Sequence, residues 1–405
     1  MYRLVLLLIL LFPILAIGQD TIQSNTIEKD SYDSFKKGDW EETIKIGKLG
    51  LKNKSDYFYL RHRMGIAYYN LKKYRLAEKE FRMALKFDSY SELNNEYLYY
   101  SYLKNDSYDL ARKQTKKFTN DLRATTLTKS MAYAPLAYLE VGKKISGNTT
   151  LFSDANYFQI GFNHRLGRSL SVSHAYSSYT QTTSFGEINQ NQYYLGLQVP
   201  IAKTWLITPS AHLLSYKLET EYSYVPSQPP FASTPKAITE ISKYNETNLV
   251  VSIAAKKVTS VVDIIPALSY SNLNKRDQLQ GSLTVNLYPF GSNKFSLGST
   301  AIVQKDSAVS GFGYRFLMNY QPIRTFKLTA TYYNGNMLNY NEDNGFVVNN
   351  SFYYTNYKIA IIPELQLSKR VSIYSVFQHE NKSESNFINN FNYTTILFGL
   401  KLNTF

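Results

Sequence analysis

From residue 131 to the end, apolar and polar residues alternate one for one over long stretches, and no other feature constrains the fold as tightly. Leu279, Leu283, Val285 and Leu287 alternate with Gln278, Gln280, Ser282, Thr284 and Asn286. Phe326, Leu328, Ala330 and Tyr332 alternate with Lys327, Thr329 and Thr331, and Phe158, Ile160 and Phe162 with Gln159, Gly161 and Asn163. Tyr193, Leu195, Leu197 and Val199 alternate with Tyr194, Gly196 and Gln198. A period of two is the strand period, but a soluble sandwich would show it too. Length and connections decide between them. The segments 134–144, 156–166, 169–180, 190–200, 204–217, 244–255, 259–271, 277–289, 294–304, 309–321, 325–336, 352–366, 371–380 and 390–405 read as strands. Most have about 10–14 residues, against a usual length of about 5–6, and can cross a bilayer at a tilt. Tight turns at Gly167-Arg168, Ile201–Lys203, Lys256–Val258, Phe290–Asn293, Pro322–Arg324 and Ser368–Arg370 alternate strictly with generally longer loops at 145–155, 181–189, 218–243, 272–276, 305–308, 337–351 and 381–389. Short turns on one side and longer loops on the other mark a barrel of the outer-membrane type. The segment therefore reads as an antiparallel transmembrane β-barrel of about 14 strands, or about 12 or 16 if a pair is split or merged.

The N-terminus agrees with that compartment. Met1-Tyr2-Arg3 gives a short positive start, Leu4 to Ile17 is almost unbroken apolar sequence, and Ala16-Ile17-Gly18 places small residues where a signal peptidase reads. The alternative, a membrane anchor, would need about 20 apolar residues, and polar Gln19-Asp20 follows at once. Residues 1–18 are thus expected to be a signal peptide. The chain carries 36 Tyr and 23 Phe and no Cys, with a net charge of +14 spread along its length. Amphipathic aromatic rings suit bilayer interfaces. Absent cysteines exclude disulfides and thiolate metal sites, and dispersed basic residues give no footprint for nucleic acid.

Residues 19–127 read differently, with apolar residues at helical spacing and an internal period. Trp40, Tyr74 and Tyr108 are 34 residues apart, as are Thr43, Ala77 and Ala111, and Leu51 and Leu85 keep the register. The third unit departs from it, with Thr119 at the matching position and Phe118 one residue early. The middle unit carries the pattern best: Gly65 and Tyr68 on one helix, Ala77, Phe81 and Ala84 on the next. Small residues let the two helices approach while Phe81 fills the gap. This segment resembles tetratricopeptide repeats, whose period is about 34 residues and which need about three units to stand alone. In the flanking units Ser31 and Tyr99 replace the glycine, and Gly47 and Thr115 replace the phenylalanine. The resemblance implies an α-solenoid that binds protein, with a groove lined by first-helix residues Tyr59, His62, Ile66 and Tyr69. The alternative is that these four are ordinary surface and core residues. His62, between Arg61 and Arg63, is expected to be solvated.

Little in the chain suggests chemistry. The five histidines (His62, His164, His174, His212 and His379) lack metal-ligand spacing, so neither a metal nor a cofactor is expected. Ser173-His174 and His212 with Ser215 could be imagined as lipid-hydrolase pairs, but no acid or amide partner is identifiable. Luminal positions such as Gln159, Asn163, Gln198, Gln280, Thr284, Asn286 and Thr329 are mostly neutral hydrogen-bonding groups. Arg168, Lys203, Lys256, Lys257, Lys294, Arg324, Lys369 and Arg370 gather at the tight turns. Glu219, Glu221, Glu240, Glu246, Glu342, Asp343, Glu380 and Glu384 lie in or beside the longer loops. These charges read as solvated rims or, functionally, as an acidic exit favouring cationic cargo. The terminal Phe405 resembles the signal read by barrel assembly machinery, although it shares the parity of Lys401 and Asn403 rather than the apolar Phe398, Leu400 and Leu402.

The order of signal peptide, short tetratricopeptide stack and barrel, with Ala137-Tyr138-Leu139-Glu140-Val141-Gly142 and Phe398-Gly399-Leu400, resembles the YaiO-type outer-membrane β-barrel family. The order is also similar to that of poly-N-acetylglucosamine exporters, whose helical array is longer. These resemblances imply a non-enzymatic barrel in outer-membrane lipid with its helical domain in the periplasm. That domain would dock an unknown periplasmic protein at a site of surface-polysaccharide export or envelope assembly. A passive channel or structural anchor is the rival reading, and a lipid-modifying enzyme the third.

Overall fold

The structure, a computed structural model, describes residues 24–125, 136–147, 152–166, 170–184, 186–224, 238–306, 310–384 and 390–402. The expected signal peptide, the Gly167-Arg168 turn and Phe405 lie outside them. Among the described residues seven α-helices come first: α1 (Ser24–Lys36), α2 (Trp40–Lys52), α3 (Phe58–Asn70), α4 (Tyr74–Phe87), α5 (Glu92–Lys104), α6 (Tyr108–Gln114) and α7 (Asn120–Thr125). Gly38, at φ +73°, lets the chain reverse between α1 and α2, and the Asp39 carboxylate then caps α2 by accepting from Glu42 N at 3.0 Å. Ser91 caps α5 in the same manner. Such caps satisfy amides that the first helical turn leaves without partners.

Glycines set the helix spacing within the stack. A Cβ on Gly65 would stand 2.5 Å from the Phe81 ring, and one on Gly47 would stand 2.5 Å from Met64. Met64 thus fills the space at Gly47 that Phe81 fills at Gly65. In the third unit, α6 gives way to a 3-10 turn at Thr115–Lys117. Three residues at ~120° rather than ~100° each advance the chain by about 60°. Phe118 therefore reaches the core one residue early, where it is buried and packs edge-on against Tyr99 at 5.4 Å.

Fourteen strands then close a barrel: β1 (Leu136–Gly147), β2 (Phe152–Leu166), β3 (Leu170–Thr183), β4 (Gly186–Pro200), β5 (Trp205–Tyr224), β6 (Ile238–Val258), β7 (Val262–Ser271), β8 (Gln278–Leu287), β9 (Phe295–Asp306), β10 (Ser310–Ile323), β11 (Phe326–Met337), β14 (Tyr354–Gln366), β15 (Val371–Ser383) and β16 (Asn390–Leu402). Every neighbour is antiparallel, and β1 completes the ring by pairing with β16 from Ala137↔Leu402 to Gly147↔Asn392. Closure leaves no free sheet edge around the ring, which is what a span through hydrocarbon requires. Leu268, Val303, Phe316, Ile361 and Phe398 are among the large side chains that stand exposed on the outer face. An apolar face of that extent belongs against lipid. Inside, Tyr138 and Tyr374 lie across the glycines paired with them, Gly161 and Gly399. The missing Cβ leaves room for a ring that covers the bare backbone.

Two features depart from the sequence expectation. The strands β5 and β6 pair through to Tyr224↔Ile238, so much of the expected 218–243 loop is a ribbon extending the wall. The 337–351 loop turns inward, and its short strands β12 (Asn341–Glu342) and β13 (Val347–Val348) form a hairpin. Asn339, Asp343, Asn344 and Gly345 all have positive φ, a conformation Asn, Asp and Gly tolerate best. The tight turns lie on one barrel rim, the turn end, and the longer connections on the opposite rim, the loop end.

Candidate functional site, a helical seat and a luminal hairpin

At the turn end the helical stack sits against the barrel by its inter-helix turns. Arg75, in the first turn of α4, is 2% exposed and Asp263 on β7 is 0% exposed, and the two form a salt bridge. The guanidinium also donates to Thr259 O at 2.7 Å and lies 3.6 Å over the Tyr288 ring. Asp263 further receives Lys256 Nζ at 3.2 Å and the Tyr288 hydroxyl at 3.1 Å. Beside them Arg75 N donates to Gly291 O at 2.9 Å, and Leu76 lies where a Gly291 side chain would be. The seam continues along the rim. Asn293 Nδ2 donates to Asn105 O at 2.7 Å, Tyr102 donates to Lys203 O at 3.3 Å, and Lys113 Nζ donates to Pro200 O at 3.0 Å. Arg112 donates to Ser171 Oγ at 2.7 Å, and that hydroxyl donates to Asp109. Leu206 and Val258 of the barrel join the helical core itself. Buried charge and shared core make this a fixed seat rather than a tether.

From the loop end, the β12–β13 hairpin crosses the lumen. At one wall Glu342 bonds Lys358 and lies 3.0 Å from Arg315, and Asp343 lies 2.7 Å from Arg315. At the opposite wall Ser210 Oγ donates to Asn344 O at 2.5 Å, and His212 Nδ1 donates to Gly345 O at 2.8 Å. Between them Gln280 holds Asn341 by two bonds, to its O at 2.8 Å and from its N at 3.0 Å. Leu273 at the rim is fully buried with Leu214 and Val250, and Val348 packs on them. A cavity of about 270 Å³ remains on the turn side of the hairpin tip, lined in part by Ser282, Thr284, Asn286, Thr300 and Arg315.

The wall facing the hairpin carries a registered row. Arg315↔Tyr333, Tyr333↔Lys358, Lys358↔Glu380 and Glu380↔Tyr393 are successive partners across β10, β11, β14, β15 and β16. Directly paired residues share one face of a sheet, so these side chains form one inward row. Lys144 bonds Glu380 and lies 4.1 Å over Tyr393, while Lys382 lies 4.0 Å from Glu380. Nearer the turn end, Lys401 bonds Glu364 at 2.7 Å and the Tyr374 hydroxyl donates to Glu140.

Several sequence expectations change here. Glu342 and Glu380 are buried in ion pairs, so they are not part of a solvated acidic rim, although Glu219, Glu221 and Glu240 are exposed. The lumen holds the expected neutral groups, with Gln159 donating to Tyr138 at 2.9 Å and Thr329 to Asn319 at 2.8 Å. It also holds buried charges that alternation alone had not singled out. Ser173 and His174 are adjacent on β3 and so face opposite sides, and His212 is luminal while Ser215 has the outward parity. Neither pair can act as nucleophile and base. His164 and His174, far from scattered, meet on the outer face at 3.0 Å between Nδ1 and Nε2. Among the described residues no group of three metal-ligating side chains occurs.

Nor do Tyr59, His62, Ile66 and Tyr69, the residues expected to form the groove, line one open surface. Tyr59 is exposed, but Ile66 is buried and Tyr69 packs against Tyr74 and Tyr97. His62 is half-buried rather than fully solvated. Its Nδ1–H donates to Asn94 Oδ1 at 3.0 Å, and burial lowers its pKa from 6.5. The reason is that α3 packs directly on α5, so positions facing the next repeat are consumed by the stack. Arg61 and Arg63 beside it are buried in pairs with Asp56, Glu80 and Glu28, and the Arg61 bond lowers the Asp56 carboxyl. Of the packing positions, Phe81, Ala77, Ala84 and Ala111 are fully buried, Gly65 and Tyr68 buried, Trp40 and Tyr74 half-buried, and Tyr108 exposed.

Fold and site together define a transmembrane β-barrel with a tetratricopeptide-like helical module seated on its turn end. No family model matches the sequence, and no curated protein does. The barrel is similar to a FadL homologue of Pseudomonas aeruginosa at 9% identity and TM-score 0.41, over 67% of this chain and 89% of that one. It is also similar to the Pseudomonas putida toluene transporter TodX at 8% identity and TM-score 0.44, over 68% of this chain and 91% of that one. The helical part is similar to the first tetratricopeptide domain of Spaghetti bound to an HSP90 peptide, at 16% identity and TM-score 0.24, over 28% of this chain and 94% of that one.

Proposed function

We propose that the protein is a non-enzymatic outer-membrane conduit held shut at rest. In this reading the turn end and its helical module lie in the periplasm, where the module docks a partner protein at a site of surface-polymer export or envelope assembly. The observation that carries the proposal is the salt bridge of Arg75 with Asp263. It couples the helical stack to the barrel wall, so a partner that moves the stack also acts on the rim. The module presents Phe87, Tyr90 and Leu93, all exposed, around the α4–α5 turn, while the α3–α4 turn is seated on the barrel. The hairpin held in the lumen by side-chain bonds supports the same reading, because such bonds can be exchanged for solute or water without unfolding the wall. The order of segments shared with the YaiO-type family points to the same membrane.

Conductance tests it. The intact chain in planar bilayers is expected to stay closed, and a chain whose residues 340–349 are replaced by two glycines is expected to conduct. A hairpin-free barrel that remains closed would leave a structural anchor as the better description.

A further inference from the structure

The hairpin shows which solutes the lumen suits. Arg315, Lys358, Lys144 and Lys382 project inward at the level of the hairpin, and the wall carboxylate Glu380 lies beside Lys358, Lys144 and Lys382. Nearer the turn end the luminal Lys401 pairs with Glu364, and Asp263 pairs with both Lys256 and Arg75. At the hairpin level these four cations outnumber Glu380 by three, and the hairpin supplies two of the missing negative charges. Its Glu342 meets Lys358 and Arg315, and its Asp343 meets Arg315 through the other terminal nitrogen of the guanidinium. A guanidinium engaged by two carboxylates, with an ammonium beside it, is a binding arrangement for closely spaced oxyanions. Both acids are on the hairpin, whereas the cations belong to the wall.

We propose that Glu342 and Asp343 occupy a luminal anion site, and that the solute taking their place carries repeated carboxylate or phosphate groups. The proposal rests on the conduit reading above and gives it a substrate class. It reverses the exit charge that the loop acids suggest in the sequence. The cavity beneath the tip extends the site, since Ser282, Thr284, Asn286 and Thr300 offer neutral hydrogen-bonding groups along the path.

The test uses two versions of the full chain, one with Glu342→Gln and Asp343→Asn and one with residues 340–349 replaced by two glycines. The first keeps the hairpin and so guards against misfolding in the second. In detergent each is titrated with fluorescent poly-L-glutamate and, separately, poly-L-lysine. Binding of polyglutamate by both versions, weak binding by the native chain, and loss on adding Arg315→Gln and Lys358→Gln are expected. In bilayers under a potassium chloride gradient, the reversal potential of the hairpin-free chain should lie on the chloride side. Preference for polylysine, binding indifferent to Arg315 and Lys358, or a potassium-side reversal potential would overturn the anion site. Polyglutamate binding without conductance would uphold the site and sink only the conduit.

Discussion

Arg75→Ala should release the helical module while the barrel stays intact. Removing one partner of a buried ion pair costs about 3–5 kcal/mol, because the other charge is left without compensation. Asp263 keeps Lys256 and the Tyr288 hydroxyl when Arg75 is lost, which places this substitution near the lower bound, about 3 kcal/mol. Asp263→Ala leaves Arg75 with neutral acceptors, the Thr259 carbonyl and Asn293 Oδ1, and with the Tyr288 ring. Its cost should therefore be the larger of the two. At about 1.4 kcal/mol per decade, 3 kcal/mol lowers the seated-to-released ratio by roughly a hundredfold. The chain has no cysteine, so nitroxides at Lys48→Cys and Arg324→Cys, both exposed positions, report the distance from stack to rim by electron paramagnetic resonance. The native chain should give one narrow distribution and Arg75→Ala a second, longer population. The two substitutions together should cost clearly less than their sum, since the pair acts as a unit. An unchanged distribution in both single variants, or strict additivity, would refute the view that this pair seats the module.

Two further outcomes are expected. Gly291→Ala puts a Cβ 2.6 Å from Leu76 Cγ at a residue with φ +64°, adding about 1–2 kcal/mol of backbone strain to the clash; limited proteolysis should cut the helical module faster, and an unaltered rate would argue against close packing there. Because burial holds the His62 pKa below 6.5, its contribution is complete above that value. It is lost as pH falls from 6.5 towards the folded-state pKa, where the unfolded chain binds a proton that the folded stack resists. Amide protection factors in α3 and α5, which correct for the intrinsic pH dependence of exchange, should fall between neutral pH and about pH 5, and His62→Gln should flatten the change; an equal response in both proteins would assign it elsewhere.

How much of the site was legible follows from which signals are local. Gln280 and Thr284 could be assigned to the lumen because strand parity depends only on position along one strand. Asp263 carried a faint mark, a charge between Val262 and Ile264 just past a tight turn, but its partner lies 188 residues away in a segment with a different period. The Asp343-Asn344-Gly345 run marks a reversal, yet nothing in it says whether the hairpin points outward or into the bore. The groove positions show the converse: Ile66 and Tyr69 sit on a first helix as expected, and Tyr69 packs on Tyr97 of the next first helix, a contact between separate repeats.

The sequence by itself determined a barrel of about 14 long strands and a 34-residue helical period, because periodicity and connection length are written in adjacent residues. Only the tertiary structure decided what enters the lumen. That outcome depends on registers around a ring, Arg315 to Tyr333 to Lys358 to Glu380, and on a guanidinium reaching from one domain into the wall of another. Charges so placed are stable only when every partner arrives together, and no stretch of chain contains them all.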